Sequence, residues 1–255
     1  MSGAESAPGA AFPGATAVTV LDVYDWVAPD GLPGGSAHVH LASTEGYVVQ
    51  SGAGRLQTLS SSGYAETPLR PGDCLWFTPG TIHRLVNDGD LRLLIVMQNA
   101  GLPEHGDAVL TFPPEILADP ERYAAAAALP SPKAGSGDDS ALAAAARRRA
   151  ALAVEGYLNL RAAVAEKGPE ALTDFYEAAL ALTGGHAEDW RDRWRSGALA
   201  TAELTGTHID EIGAAVPGHL GAAGLWRIGR PEGERSYGMC GRLTTYPAAA
   251  AVRVV

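Results

Sequence analysis

Between residues 17 and 112 the chain alternates short apolar runs with turn residues. "ATAVTVLDVYDW", "SAHVHLA", "EGYVVQSG", "GRLQTLSS", "DCLWFTP", "HRLVND" and "LRLLIVMQNA" each have the length and composition of a β-strand. "GLPGG", "SGAG", "RPGD", "TPGT" and "NDGD" punctuate them. Short strands at regular spacing predict an all-β sandwich or barrel. The texture then changes. Residues 113–137 hold a short helical piece and a Pro/Gly/Ser linker. "SALAAAARRRAALAVEGYLNLRAAVAEKG" carries apolar residues at helical spacing and ends at a Gly-Pro stop. "PEALTDFYEAALALTGG" is a second helix, opened by Pro169 and closed by Gly184-Gly185. "AEDWRDRWRSG" and "LATAELTGTHIDEIGAAV" read as a third and a fourth, and "SYGMCGRLTTYPAAAAVRVV" as a β-like tail.

The organisation predicted from this pattern is a disordered N-terminal arm over 1–16, a β-barrel over 17–112 and a linker with a short helix over 113–137. A helical extension over 138–235 and the β-like tail over 236–255 follow. No internal repeat points to a second barrel.

Composition narrows the classes. At 255 residues, with 46% hydrophobic and 19% charged residues, the chain has the make-up of a soluble globular protein. No apolar run is long enough to span a bilayer. "MSGAESAPGAAFPGATA" has neither a basic n-region nor a leucine-rich h-region, so no signal peptide is read and a cytoplasmic protein is expected. The net charge of −10 argues against nucleic acid or an anionic membrane as partner, because phosphate contacts need clustered Lys and Arg. The "RRR" run at 147–149 reads as a solvated helix face. Cys74 and Cys240 are far apart and form no metal or redox pair, so both are expected as reduced thiols.

Candidate chemistry lies in "HVHLASTE", residues 38–45. In a strand, residues i and i+2 point to one face. His38 and His40 therefore project together and Val39 faces away. Glu45 opens the following strand, and His83 begins another just after a tight Pro-Gly turn. Three imidazoles and one carboxylate from neighbouring strands make a four-ligand set for iron, manganese, nickel, cobalt, copper or zinc, with room for open positions. Alternation from Glu45 puts Tyr47 and Val49 on the same face, so Tyr47 is a candidate catalytic hydrogen-bond donor to substrate. Arg55 and Gln57 read as surface-strand residues with a possible place in the pocket. His105, His186, His208 and His219 match no motif and are read as ordinary surface or loop residues. Trp190 and Trp194, at i and i+4, are expected on a packed helix face.

These residues carry a resemblance. His38, His40, Glu45 and Gly52 are similar to the first motif of the cupins, and Gly72, Gly80, His83 and Asn87 to the second, with residues 53–71 between them. Two turn positions depart from the pattern. Leu32 stands where the first motif has its leading glycine, flanked by Gly31, Gly34 and Gly35, and the proline of the second motif is displaced to Pro79, behind Thr78. The resemblance covers about 17–112. It implies a mainly β, jelly-roll antiparallel barrel with a divalent metal held by His38, His40, Glu45 and His83, a structural role for Asn87, and a homodimer. The helical extension falls outside it.

Three activities are compatible with the resemblance. One is an oxygenase of dioxygenase type acting on a small organic substrate, for which iron is the expected metal. A second is a metal-dependent isomerase, epimerase or lyase on a neutral carbonyl or sugar-like substrate. The third is a non-catalytic small-molecule sensor. An isomerase needs a titratable base near the substrate carbon. No inward-facing Lys, Asp or further Glu is identified, which favours oxygen chemistry or binding.

Overall fold

The computed structural model describes residues 11–131, 139–232 and 235–254. Most of the expected N-terminal arm (1–10), the end of the linker (132–137) and the first position of the helical extension (138) lie outside these residues. The strands are β1 (Ala17–Val23), β2 (His38–His40), β3 (Glu45–Ser60), β4 (Gly63–Leu69), β5 (Cys74–Phe77), β6 (Ile82–Met97), β7 (Ala108–Leu110), β8 (Trp226–Arg227), β9 (Ser236–Tyr237), β10 (Gly241–Tyr246) and β11 (Val252–Arg253). The helices are α1 (Pro114–Leu117), α2 (Pro120–Ala127), α3 (Ser140–Lys167), α4 (Thr173–Thr183), α5 (Ala187–Trp194) and α6 (Ala200–Gly213).

Two long strands organise the sheet. β3 and β6 pair antiparallel along almost their whole length, from Glu45 opposite Met97 to Leu59 opposite Ile82. The expectation of separate strands at "EGYVVQSG" and "GRLQTLSS", and at "HRLVND" and "LRLLIVMQNA", is corrected here. The glycines between them mark a bend, not a break. The register shifts between Val49 and Gly54, and the two strands bend together. Gly52 sits at the bend with φ +80°, and a Cβ there would lie 2.2 Å from the Asp90 carbonyl oxygen. Asn87 holds the bend from inside, its side-chain nitrogen donating to the Val23 carbonyl at 3.0 Å. Its side-chain oxygen accepts from the amides of Gly89 and Leu91 at 3.1 Å.

The bend divides the sheet into two leaves. One runs β9–β10–β1–β6–β3–β5 and uses the C-terminal half of β6 with the N-terminal half of β3. The other runs β4–β3–β6–β2–β7 and uses the opposite halves. Leu21, Val23, Tyr47, Val49, Leu56, Leu85, Leu91 and Leu93 form one buried cluster from the two leaves. β4 is largely exposed and lacks apolar alternation, and β7 is three residues long, so neither was visible as a strand signal. The tail contributes β10, which pairs with β1 from Val18–Tyr246 to Val23–Gly241.

The fold is a jelly-roll sheet with a helical region, and the expectation of a mainly β protein needs correcting: about 42% is helical and 30% strand. Among the described residues the sheet does not close into a barrel, its path ending at β4 and β9. The helical share follows from the Ala, Leu and Arg content of 140–213, all strong helix formers. α4 and α5 are joined by a 3-10 turn, and a π-turn at Arg195–Leu199 carries α5 into α6.

The helices cover the outer face of the second leaf. Val39, Leu59, Ile82, Val109 and Leu110 pack in one cluster with Ala153, Tyr157, Phe175 and Ala179. β2 is consequently buried on both faces, His38 and His40 on one and Val39 on the other. Among the described residues no helix is long and apolar enough to cross a membrane.

Candidate metal centre

His38 and His40 come from β2, Glu45 from the first position of β3 and His83 from the second position of β6. The β2–β6 ladder sets His38 directly opposite His83. The turn before His83 is tied back to the first histidines, since the Gly80 amide donates to the His40 carbonyl at 2.9 Å. Tyr176, from α4, donates its hydroxyl proton to the Gly80 carbonyl at 2.8 Å. The helical region thus fixes the turn that presents His83. The displaced Pro79 does not prevent that turn, which closes from the Thr81 amide to the Thr78 carbonyl at 3.2 Å.

One ligand atom from each of the four residues lies within 4.8 Å of all the others. Glu45 Oε2 is 3.1 Å from His83 Nε2 and 3.3 Å from His40 Nε2. All four side chains are nearly dry, with residue exposures of 4% for His38, 8% for His40, 4% for Glu45 and 0% for His83.

The far side of each ring decides its protonation. His38 Nδ1 faces the Ser36 carbonyl at 3.3 Å, His83 Nδ1 the Thr81 carbonyl at 3.1 Å, and His40 Nδ1 the Asp107 carboxylate at 3.3 Å. All three partners are acceptors, so each Nδ1 donates outward and each Nε2 is turned to the centre, where a metal would take its lone pair. Three Nε2 atoms and a carboxylate then converge in a dry space. Such an arrangement is repulsive unless a cation, or protons, sit among them. Glu45 Oε2 and His83 Nε2 have no hydrogen-bond donor of their own. This donor set fits a divalent transition metal.

Without a cation, protons take its place among these groups. Burial, reinforced by the neighbouring His83 and His40, holds His38 well below the usual imidazole range. Burial would also depress His40, but its hydrogen bonds with Asp107 and Glu45 outweigh it and lift it to about 9. Burial acts to raise Glu45, yet His40 and His83 hold its carboxyl well below the usual range. Tyr47 is 1% exposed, with its ring edge-on to Phe77. Burial first, and then the charge of Glu45, push its phenol well above the ordinary value, so it remains a protonated donor.

Arg55 and Gln57 do not face the centre. The register shift in β3 reverses its alternation, and both engage Glu66 on the outer face, Arg55 also reaching Asp88. His105, Trp190 and His186 meet on the surface, where Trp190 Nε1 donates to the His105 carbonyl at 2.7 Å and stacks on His186. Trp194 is 41% exposed. His208 and His219 stack on each other at 4.3 Å, away from the centre.

Two neighbours of the centre carry no sequence signal. Asp107 lies 67 residues from His40 and belongs to no motif. Cys240 brings its Sγ to 3.9 Å from His38 Nδ1 from a position 202 residues away. Only the β2–β7 pairing and the end of β10 bring them in.

Residues 26–97 match the family model of the cupin domain. A search of curated proteins finds no match. Among solved structures, an uncharacterised double-stranded β-helix protein from Klebsiella pneumoniae is similar at 21% identity over 32% of this chain and 66% of its own, with a TM-score of 0.27. A predicted oxalate decarboxylase from Thermotoga maritima is similar at 21% identity over 32% of this chain and 64% of its own, with a TM-score of 0.25. A nucleoside dehydratase from Streptomyces, solved with uridine, is similar at 18% identity over 32% and 58%, with a TM-score of 0.26. The chain thus spans 58–66% of the length of these structures. With all four ligand positions filled and their side chains gathered on adjoining strands, residues 26–97 form a cupin domain.

Proposed function

We propose that this protein is a cytoplasmic metallo-cupin that binds a divalent transition metal, iron by preference, through His38, His40, Glu45 and His83, and acts as an oxygenase of dioxygenase type on a small organic substrate. The observation that carries the reading is the convergence of three imidazole Nε2 atoms and one carboxylate with every Nδ1 already engaged. When bound, the metal would supply open coordination positions at which an organic donor and dioxygen meet. The protein's own part is to hold the four donors, exclude water and keep Tyr47 protonated as a hydrogen-bond donor to substrate.

Isomerase, epimerase or lyase chemistry is the weaker reading. It requires a free acid or base beside the substrate. Among the described buried residues, the titratable groups beyond the four ligands are Asp107, Arg84, the thiol of Cys240 and the phenols of Tyr24, Tyr47 and Tyr157, which burial keeps protonated. Asp107 is engaged behind His40 and Arg84 is ion-paired with Asp30 on the opposite face of β6. Burial pushes the Cys240 thiol far above its usual range, which leaves it protonated. A homodimer is part of the proposal; a light-scattering mass of twice the chain's 26.3 kDa would support it, and the single-chain mass would remove it.

The test is metal analysis of protein purified without added metal, followed by oxygen consumption across a substrate panel. Stoichiometric iron with substrate-dependent oxygen uptake supports the proposal. Zinc without oxygen uptake removes the oxygenase reading. His40→Ala and His83→Ala are each expected to abolish stoichiometric metal, and retention in both variants removes the site.

A further inference from the structure

The three imidazoles are not backed equally. His38 and His83 each give their Nδ1 proton to a backbone carbonyl, whereas His40 faces a carboxylate. Asp107, fully buried, divides its two oxygens between two tasks. Oδ2 lies 3.3 Å from His40 Nδ1. Oδ1 accepts from the amides of Leu41, at 3.0 Å, and Ala42, at 2.6 Å. The same carboxylate therefore ends β2 and orients the ring that β2 presents. Its place is secured on both sides. Asp107 immediately precedes β7, whose Ala108 pairs with His40. On the other side, the loop leading to it is clamped by α5 through Trp190 Nε1 and the His105 carbonyl. Its only ion pair among the described residues is with His40.

We infer that Asp107 is a positioning residue for His40: it fixes the ring with Nε2 toward the centre and, by a charge-assisted hydrogen bond, makes His40 the strongest of the three nitrogen donors. A carboxylate behind a ligating imidazole holds its tautomer and raises its basicity, and losing it typically weakens metal binding 10- to 100-fold. The inference rests on the proposed metal site for its consequence, but on the His40–Asp107 contact alone for its geometry.

Two measurements test it, with Co2+ as the probe. In the first, chelator competition compares the native chain with Asp107→Asn, which keeps an oxygen for the two amides and removes the charge. The expected result is the same stoichiometry, affinity roughly 10- to 100-fold weaker and a shifted Co2+ absorption spectrum. Affinity within about threefold of native with an unchanged spectrum overturns the inference. The second needs no variant and no metal. A ring N–H resonance of His40 Nδ1, protected from solvent exchange, is expected in the metal-free native protein, and its absence overturns the inference even if Asp107→Asn fails to fold. If the native chain takes up no Co2+, the metal site itself fails, and the ring N–H signal alone decides the role of Asp107.

Discussion

Gly156 lies within α3, where a glycine ordinarily weakens a helix. Propensity alone makes Gly156→Ala stabilising by about 1 kcal/mol. The packing of α3 on the sheet reverses the sign. A Cβ at this position would meet the Thr111 carbonyl oxygen at 2.1 Å and the Phe112 carbonyl carbon at 2.6 Å. Real contacts of this kind stay above 3.0 Å, so α3 must lift by at least 0.9 Å (3.0 − 2.1). Both obstacles are backbone, and no rotamer relieves them. A lift of that size forfeits roughly a quarter to a half of each dispersion contact along the face, which carries Ala153 and Tyr157, both fully buried. Overpacking costs about 1–3 kcal/mol. Taking the upper end and subtracting the propensity gain leaves a net loss of about 2 kcal/mol, or a Tm lower by roughly 4–8 °C for a chain of this size. Gly206→Ala is the control, because Gly206 sits in α6 with nothing within 4 Å of its Cβ position. It is expected to gain about 0.5–1 kcal/mol. Urea and thermal unfolding by circular dichroism read both variants. The close approach of α3 is refuted if Gly156→Ala matches or exceeds the native stability while Gly206→Ala behaves as expected.

Asn87→Ala strips the bend in β3 and β6 of its internal hydrogen bonds and leaves the Leu91 amide and the Val23 carbonyl unsatisfied. The expected loss is about 2–4 kcal/mol, seen as a lower urea midpoint at unchanged slope, and a loss below about 1 kcal/mol would contradict the role given to it. Asp30 yields a pH dependence. Burial acts to raise its carboxyl, but hydrogen bonds and charge from the buried Arg84 outweigh this and hold it below the ordinary value. A depressed folded pKa gives stability that is present above the unfolded value, about 3.9, and lost as pH falls through the folded one. Asp30→Asn should therefore lower Tm most near neutral pH, with the gap to native closing below about pH 4. A constant gap across that range would show that the ion pair is not its source.

The part of the site that rests on strict local rules was legible. Two-residue alternation put His38 and His40 on one face, and the resemblance to the two cupin motifs joined Glu45 and His83 to them. The four helical segments were legible for the same reason, since their periodicity is local. Strand length was not. Gly52 and the "NDGD" turn signal look like chain reversals until β3 and β6 are seen to bend side by side, and that depends on a partner about 35 residues away. The same shift turned Arg55 and Gln57 outward. β4 exists because β3 offers it an edge, not because "GYAETPL" alternates. Asp107 and Cys240 reach the histidines through pairings that no residue near them announces. The helical extension, which fell outside the resemblance, covers the outer face of β2 and holds the turns behind His83 and Asp107.

The ladder between β1 and β10 also constrains when the molecule can be finished. Val18 pairs with Tyr246, a separation of 228 residues (246 − 18). A ribosome adding about 5–20 residues per second needs roughly 10–50 s to cover that distance. Throughout that interval β1 is made but one of its two edges has no partner, an arrangement that invites pairing with other chains. Contacts this distant in sequence also slow folding itself. The first leaf is thus completed only after Tyr246 has been made. Until then the nascent chain has β6 on one side of β1 and nothing of its own for the other.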